Sequence, residues 1–215
     1  MRRRILRTNI DVVLDIGANV GQYAKGLRAD GYAGRIVSFE PLSEAFAELS
    51  RYAASDKSWE CKQLALGNSD GTTNMNISER TYSNSLLPMK DRHLAAAPNT
   101  GYVGSETVRI KRLDSLRNQL FEDKDSVYTK LDVQGYEMQV LEGATEILGQ
   151  NVPVVEIELS TVPLYEGQPL FYELSSYLYA RGFDLVSIEP TFFDPESNYV
   201  LQMDGIFVRQ ARSLE

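Results

Sequence analysis

An apolar strand, a glycine turn and the start of a helix lie in one stretch, Asp11-Val-Val-Leu-Asp15-Ile-Gly17-Ala-Asn-Val-Gly21-Gln-Tyr23. A second apolar run, at 36–39, ends in Glu40-Pro41. In an α/β fold, a carboxylate at the tip of each of two adjacent parallel strands, with a glycine turn between them, is typical of a nucleoside site. We therefore expect Asp15 and Glu40 to border such a site.

The glycine spacing after Asp15 limits which nucleoside can bind. A dinucleotide fold needs G-x-G-x-x-G, but counting from Gly17 the second and third glycine places hold Asn19 and Gln22. A phosphate-binding G-K-[ST] sequence is also missing. The remaining pattern, D-x-G-x-x-x-G, suits a ligand with ribose and adenine but no phosphates, and S-adenosylmethionine is the common one. An NAD-binding oxidoreductase domain is the alternative that the missing glycines weigh against.

Length and charge narrow the class further. A chain of 215 residues predicts one α/β domain, 1–215, with a small insertion. Its hydrophobic content of 43% and charged content of 24% are those of an ordinary globular protein. The net charge of −8 argues against a nucleic-acid partner, which would need a basic surface. A homo-oligomer stays open.

Cysteine usage and the N-terminus bear on location. The single cysteine, Cys61, excludes an intrachain disulfide and predicts a reducing, cytoplasmic compartment. The N-terminus is basic, but no apolar segment follows it, so we expect no secretory signal. Arg2 to Arg4 and Arg7 form either a solvated lead-in or a contact to anionic lipid or glycan. No stretch approaches the ~20 apolar residues that span a bilayer.

Apolar runs alternate with helical patterns, which is typical of a parallel sheet covered on both faces. After the third expected strand this alternation stops: 73–78 predicts an exposed antiparallel strand, and 108–113 another short one. Residues 79–107 show no periodicity, so we expect an inserted loop or lid there. The main strands are expected at 12–16, 36–39, 59–66, 126–133, 152–159, 183–188 and 204–208. Helices are expected at 19–30, at 136–148 with Gly149 ending the helix, from 43 onward, and from 171 to Gly182.

Four sequence blocks carry a resemblance to a known family. They are Leu14-Asp-Ile-Gly-Ala-Asn-Val-Gly-Gln-Tyr23, Phe39-Glu-Pro41, Leu64-Ala-Leu-Gly-Asn-Ser-Asp-Gly71, and Lys130-Leu-Asp-Val-Gln-Gly-Tyr-Glu137 with the Val140-Leu-Glu-Gly-Ala144 that follows. Together with the strands at 154–158 and 205–208, they resemble the FkbM-type methyltransferases, a branch of the class I S-adenosylmethionine-dependent fold.

The resemblance implies a Rossmann-like three-layer sandwich around a seven-stranded, mostly parallel sheet of order 3-2-1-4-5-7-6 with an antiparallel last strand. It implies methyl transfer from S-adenosylmethionine to a hydroxyl of a sugar, glycoside or other natural product, so the expected partner is a small molecule or glycan. A methyltransferase-like domain that binds cofactor without turnover is the alternative. The family often has D-x-E-G after strand four, where this chain has Asp132-Val-Gln134-Gly135.

The predicted cofactor site lies where the parallel strands end. Gly17 would let backbone approach the methionine part of the cofactor, and Glu40 would accept hydrogen bonds from both ribose hydroxyls. Leu42 and Leu66 would sandwich the adenine, and Asp15 would orient the amino end through water. The cofactor-binding residues expected in full are Asp15, Gly17, Asn19, Gly21, Tyr23, Glu40, Leu42, Ala65, Leu66 and Asp132.

The predicted catalytic residues are Asp132, His93 and Lys130, because an alcohol needs a base before it attacks a methyl group. Asp132 would orient the acceptor hydroxyl or take its proton; the alternative is a cap for the helix at Tyr136. Lys130 shares a face with Asp132 and would pair with it or with the cofactor carboxylate, unless it is structural. His93, the chain's only histidine, is either a base or a solvated loop residue.

Two further groups of residues, acidic and aromatic, each allow two interpretations. A divalent ion held by Asp132 with Glu156 or Glu158 would activate a hydroxyl, but pairing of these glutamates with Lys130 or arginines is the favoured explanation, so no metal is predicted. Aromatic residues near the last strands could stack on a sugar or lipid, although core packing is the more common use of such residues. These are Tyr165, Phe192, Phe193 and Tyr199.

Overall fold

Ten strands form two sheets in the computed structural model, which describes residues 9–210. The basic positions Arg2 to Arg4 and Arg7 lie outside the described residues. The strands are β1 (Val12–Ile16), β2 (Arg35–Phe39), β3 (Trp59–Lys62), β4 (Ala65–Leu66), β5 (Gly71–Ser78), β6 (Tyr102–Lys111), β7 (Val127–Leu131), β8 (Val154–Ser160), β9 (Phe183–Phe193) and β10 (Val200–Arg209).

The main sheet has the order β3-β2-β1-β7-β8-β10-β9. Numbered within the sheet alone, this is 3-2-1-4-5-7-6, and β10 runs antiparallel to both neighbours, so the predicted topology is confirmed. The parallel register sets Asp15 beside Lys130 and Lys130 beside Glu156. Three charged side chains therefore stand in one row on one face, near the carboxyl ends of the strands.

Helices cover both faces and complete the three layers. On one face α1 and α2 pack residues such as Leu27 and Leu49 against Val13 and Ile36. On the other face, α5, α6 and α7 bury apolar residues such as Ile147 against β1 and β8. No helix in 9–210 is long and apolar enough to cross a membrane. The helices are α1 (Gln22–Ala29), α2 (Ser43–Ala53), α3 (Asp91–Ala96), α4 (Arg117–Leu120), α5 (Glu137–Glu142), α6 (Thr145–Gln150) and α7 (Phe171–Tyr179).

The third strand does not run continuously over 59–66 as expected. β3 follows β2 only as far as the pair Phe39–Lys62. The Glu40 N–H donates to the Lys62 carbonyl at 3.2 Å, and no backbone hydrogen bond joins the two segments beyond it in the described part of the chain. Ala65–Leu66 instead pairs in parallel with β6 in a small second sheet of order β4-β6-β5.

Residues 79–107 are more ordered than the sequence suggests. They contain two 3-10 turns, Thr81–Ser83 and Pro98–Thr100, and the short helix α3. The strand expected at 108–113 begins already at Tyr102, inside the predicted loop, because β5 supplies an antiparallel partner along its length. The segment that has no regular sheet partner is therefore shorter than expected.

The helix expected at 136–148 is two helices. α5 ends at Glu142 and α6 begins at Thr145, so Gly149 lies inside α6 and does not stop it. The Asp114 carboxylate accepts hydrogen bonds from the backbone N–H groups of Glu146 and Ile147, each at 3.2 Å, and so caps α6. This cap comes from a residue more than thirty positions away, which no local pattern shows.

Candidate active site

The tips of β1 and β7 are in direct backbone contact at Gly17. Gly17 has φ +81°, and a Cβ placed on it would lie 1.8 Å from the carbonyl oxygen of Asp132. The Asp132 backbone N–H in turn donates to the Ile16 carbonyl at 3.0 Å. Glycine is therefore required here by the approach of the neighbouring strand as well as by its backbone angle.

Three recesses open around this contact, and Asp132 borders all of them. We call them the Glu40 cavity, the Lys130 recess and the His93 chamber. Residues that line the Glu40 cavity include Gly17, Asn19, Glu40, Ala65, Leu66, Thr81, Tyr82, Asn84 and Gln134. The Lys130 recess is bordered by residues that include Asp15, Tyr23, Lys130, Glu156 and Asp204. The His93 chamber is bordered by residues that include Tyr82, Ser83, His93, Ala97, Gln134, Glu158, Thr191, Phe192 and Gln202.

The Glu40 carboxylate is buried and held by backbone. It accepts hydrogen bonds from the N–H groups of Asn19 and Leu42, both at 2.9 Å. Burial raises the pKa of Glu40 to about 7 even though these two donors lower it. A carboxylate has about four lone-pair sites, so two remain for hydroxyl donors inside the cavity.

Asn19 has an unusual position at the glycine turn. Its φ is +49°, and its side-chain amide donates to Thr81 Oγ1 at 3.2 Å, which ties the turn to the segment after β5. Its Oδ1 is buried without a hydrogen-bond partner among the described residues. Such an orphaned acceptor costs about 1–3 kcal/mol, which a donor on a bound ligand would offset.

The other predicted cofactor residues divide between the recesses and the core. Ala65 and Leu66 line the Glu40 cavity, whereas Leu42 is buried in the cluster under the second sheet. A Cβ on Gly21 would meet the side chains of Leu49 and Trp59, so Gly21 serves the packing of α1 beside α2 and β3.

Asp15 and Tyr23 lie in the Lys130 recess. Asp15 accepts a hydrogen bond from Ser38 Oγ at 2.9 Å, and burial raises its pKa to about 6. Tyr23 donates from its hydroxyl to Glu156 Oε2 at 2.8 Å. Both side chains are therefore bonded to residues of neighbouring strands, Asp15 to β2 and Tyr23 to β8.

Lys130 and Asp132 form an ion pair, with Nζ–Oδ2 at 3.3 Å. Lys130 is buried and also approaches Asp204 Oδ1 at 3.6 Å. Burial alone would lower the pKa of Lys130, but these carboxylates outweigh it and raise the pKa above its usual range. These carboxylates therefore favour the charged form of Lys130, while the Asp132 side chain stays 40% exposed.

Asp132 does not cap the helix at Tyr136, so that alternative is wrong. The Glu137 carboxylate instead braces the turn before α5, because it accepts hydrogen bonds from the N–H groups of Val133 and Gly135 at 3.1 and 3.2 Å. Burial raises the pKa of Glu137 to about 7. The Asp132 side chain is thereby left to Lys130 and Gln134.

Gln134 lies beside Asp132 at this site but is not among the site residues predicted from the sequence. Its Nε2 donates to Asp132 Oδ1 at 2.9 Å and to the Glu158 carboxylate at 3.0 Å. Its Oε1 accepts from the Tyr165 hydroxyl at 2.8 Å, and its carbonyl accepts from Ser85 Oγ at 2.6 Å. The signal was present in the departure from D-x-E-G at this position.

His93 is a wall residue of its chamber and not a solvated loop residue, so that interpretation is wrong. Only 3% of it is exposed, and its ring lies edge-on to Tyr165 with centroids 5.2 Å apart. Burial lowers the pKa of His93 to about 4, so the ring is neutral near pH 7. Its Nδ1 is buried and has no hydrogen-bond partner in the described part of the chain.

The two glutamates of β8 are satisfied by neutral donors, not by arginines. Glu156 accepts from the hydroxyls of Tyr23 and Tyr128. Glu158 accepts from the side-chain amides of Gln134 and Gln202. Within residues 9–210, no group of three or more histidine, cysteine or acidic side chains is arranged to hold a metal ion.

The aromatic residues separate according to burial. Tyr165 is fully buried and Phe192 lines the His93 chamber, whereas Phe193 and Tyr199 are exposed. Only Phe192 of this set is placed to contact a ligand beside His93.

The sheet order and the cleft at the strand tips define a class I S-adenosylmethionine-dependent methyltransferase. A sequence profile described as "Methyltransferase FkbM domain" matches residues 15–185. The chain therefore belongs to the FkbM methyltransferase family, and its cofactor is S-adenosylmethionine.

Relatives agree with this assignment. The chain is similar to the methyltransferase sdnD of Sordaria araneosa, with 24% identity over 195 residues that cover 80% of this chain and 73% of that protein. It is also similar to the fibrillarin pre-rRNA processing protein of Methanococcus jannaschii (TM-score 0.51, 14% identity, 95% of this chain and 69% of that chain). Aeropyrum pernix fibrillarin, solved with natively bound S-adenosyl-L-methionine, has a TM-score of 0.50 and 12% identity over 92% of this chain and 66% of that chain. At these identities the structural likeness shows the fold alone.

Proposed function

We propose that this protein is an O-methyltransferase that methylates a hydroxyl of a sugar, glycoside or other natural-product acceptor. The observation that carries the proposal is the position of Asp132, whose half-exposed carboxylate borders both the Glu40 cavity and the His93 chamber. A hydroxyl entering from the chamber would meet a carboxylate next to the cofactor. The net charge of −8 supports a small-molecule or glycan acceptor over a nucleic acid.

The residues of the Glu40 cavity fit S-adenosylmethionine. The free lone pairs of Glu40 suit the two ribose hydroxyls, and the orphaned Oδ1 of Asn19 suits a further donor on the cofactor. Ala65 and Leu66 offer apolar surface to the adenine. When bound, S-adenosylmethionine supplies a methyl group on a sulfonium, which is already reactive toward an aligned nucleophile.

The chain's own residues align and deprotonate the acceptor. Lys130 and Gln134 hold the Asp132 carboxylate from two sides, so its orientation is determined before the acceptor arrives. Asp132 can then accept the hydrogen bond of the acceptor hydroxyl and take its proton as the new bond forms. Lys130 does not act as the base, because its neighbours keep it protonated. The neutral His93 is a hydrogen-bonding partner in the chamber.

We also propose that the segment 79–107 is a lid, in which Thr81, Tyr82 and Asn84 close over the cofactor. The whole chain, 1–215, would form a single domain that includes this lid. Support comes from the bond between Asn19 and Thr81, and from Tyr82, which borders both the cavity and the chamber. The single thiol, Cys61, supports a cytoplasmic location.

The test is methyl transfer from isotope-labelled S-adenosylmethionine to a panel of hydroxylated acceptors, with the product bond assigned by NMR. Asp132→Asn should lower kcat by about 100- to 10,000-fold while S-adenosylhomocysteine affinity stays within about threefold. Asp123→Asn, a substitution at a side chain that is 88% exposed, is the matched control.

Transfer to nitrogen or carbon, or an unchanged kcat in Asp132→Asn, would overturn the proposal. Cofactor binding without transfer to any acceptor would favour the alternative of a domain that binds without turnover. Binding of NADH in preference to S-adenosylhomocysteine would favour an oxidoreductase domain.

A further inference from the structure

The His93 chamber joins aromatic surface to hydrogen-bonding groups. Phe192, Ala97 and the exposed Tyr82 supply apolar surface, and the ring of Phe192 lies 5.6 Å from that of His93. Ser83, Thr191 and Gln202 supply neutral polar groups around it. The carbon-bound hydrogens on one face of a sugar ring, or a flat hydroxylated ring, suit such a combination of surfaces.

The chamber holds acids without a free cation. Of the described residues that line it, none is lysine or arginine, while Asp132 and Glu158 are both present. Lys130 forms ion pairs with Asp132 and Asp204 and lines the opposite recess. An anionic group entering the chamber would lose its hydration without meeting a positive charge, which is costly.

Glu158 is a buried acid whose oxygens are already hydrogen-bonded. Burial and the nearby Asp132 carboxylate raise its pKa well above its usual range. The amides of Gln134 and Gln202 supply N–H donors to its oxygens. A carboxylate or phosphate on a ligand that lay beside Asp132 and Glu158 would meet like-charge repulsion in addition to losing its hydration.

His93 adds an unpaired hydrogen-bonding group. The ring makes no hydrogen bond to any residue in 9–210, although the residue is buried and Nδ1 is enclosed. Because Nδ1 is enclosed, Nε2 is the ring nitrogen that can serve a ligand. A neutral imidazole can pair with a hydroxyl, whereas it offers an anion no charge.

We propose that the His93 chamber binds the acceptor through an uncharged, hydroxyl-bearing ring that stacks on Phe192 and hydrogen-bonds to His93, and that it rejects the same ring when it carries a carboxylate or phosphate. This inference rests on the proposed function, since it names the acceptor class of that site. It assigns Phe192 and His93 as the residues that determine specificity.

The experiment uses His93 as its own probe, because a chain with one histidine has one histidine Hε1 resonance. The full chain is saturated with S-adenosylhomocysteine and titrated with matched probes: 4-nitrophenyl glucoside against 4-nitrophenyl glucuronide, and 4-nitrophenyl galactoside against the galacturonide. We expect saturable shifts of the resonance with at least one neutral member, and at least tenfold weaker binding of its uronide.

Two variants separate the stacking contact from general effects. Phe192→Ala should weaken binding of the neutral probe about five- to tenfold, and Phe193→Ala, at the exposed neighbouring position, should leave it unchanged. Equal or tighter binding of a uronide, or no shift with either neutral probe, would overturn the inference.

The proposed function, O-methyl transfer, can be refuted independently of this inference about the acceptor. Neutral probes that bind beside His93 but are never methylated, with S-adenosylhomocysteine bound, would refute O-methyl transfer and leave the acceptor class standing. Efficient O-methylation of a uronide or a sugar phosphate would support O-methyl transfer and refute the uncharged acceptor class.

Discussion

The side-chain amide of Gln134 bridges two carboxyl groups, donating to Asp132 Oδ1 at 2.9 Å and to Glu158 Oε2 at 3.0 Å. An amide has two N–H hydrogens, so both bonds can form at once. The FkbM family often has glutamate at this position, which would place three carboxyl groups within hydrogen-bonding reach. Glutamine replaces one of these acids by a donor and thereby settles the direction of both bonds.

Gln134→Glu should therefore destabilise the protein, and more at pH 8 than at pH 6. The carboxyl introduced at position 134 would lie against Asp132, and this like charge would raise its folded-state pKa. The variant would therefore lose stability as the pH rises through that raised pKa. We expect a loss of about 1–3 kcal/mol at pH 8, measured by urea unfolding at both pH values. Gln63→Glu, at a half-buried glutamine outside the three recesses, is the control. Equal stability of Gln134→Glu and wild type at pH 8 would contradict the role given to the bridge.

Glu40→Gln should weaken S-adenosylhomocysteine binding about 10- to 100-fold, because an amide offers one acceptor atom where the carboxylate offers two. The pKa of Glu40 in the free protein is raised to about 7, while ribose hydroxyls favour its charged form. Affinity of the wild type should therefore increase from pH 6 to pH 8 relative to the variant. Calorimetry of both proteins at three pH values measures this, and a pH-independent ratio would refute the ribose contact.

Gly17→Ala should cost about 3–5 kcal/mol in stability, because its Cβ would overlap the Asp132 carbonyl and its φ is +81°. Gly149→Ala is the matched control, since a Cβ there meets no atom within 4 Å and the residue lies in α6. Alanine should stabilise that helix by up to about 1 kcal/mol. Thermal unfolding distinguishes the two, and a normal Tm in Gly17→Ala would contradict the backbone contact.

The free energy of unfolding should fall as the pH rises from about 5 to 7.5. Burial raises the pKa of Asp15 and of Asp204 to about 6, and that of Glu40 and of Glu137 to about 7. A carboxyl with a raised folded-state pKa contributes stability below its unfolded pKa that is lost as the pH rises through the folded value.

Urea midpoints across this range measure the slope, which is about 1.4 kcal/mol per pH unit for each proton. His93, whose pKa is lowered to about 4, acts in the opposite direction below pH 6.5, because the unfolded chain binds its proton more readily. Asp15→Asn should flatten the profile below pH 6, and Glu40→Gln should flatten it up to pH 7. A wild-type profile that rises between pH 6 and 7.5 would contradict the burial of these acids.

The spacing of apolar residues and glycines in the sequence was sufficient to predict the features that depend on near neighbours in the chain. The run from Asp11 to Tyr23 predicted a strand, a glycine turn and a helix, and the structure has the strand at Val12–Ile16 and the helix at Gln22–Ala29. Glu40, at the next strand tip, stays the predicted partner of the ribose. These features follow from hydrophobic periodicity and from the positions of glycines and turns, which can be recognised from a few consecutive residues. The order of the main sheet followed from the family resemblance.

Contacts between distant residues account for what local spacing did not show. Asp114 caps α6, Ala65 leaves the main sheet to pair with β6, and burial makes His93 a neutral wall residue. Gln134 connects Asp132, Glu158 and Tyr165, which are far apart in the chain. The amino-acid sequence by itself thus established the fold and its cofactor. Tertiary packing alone established the chamber beside Asp132, because burial and pairing depend on which distant side chains surround each group.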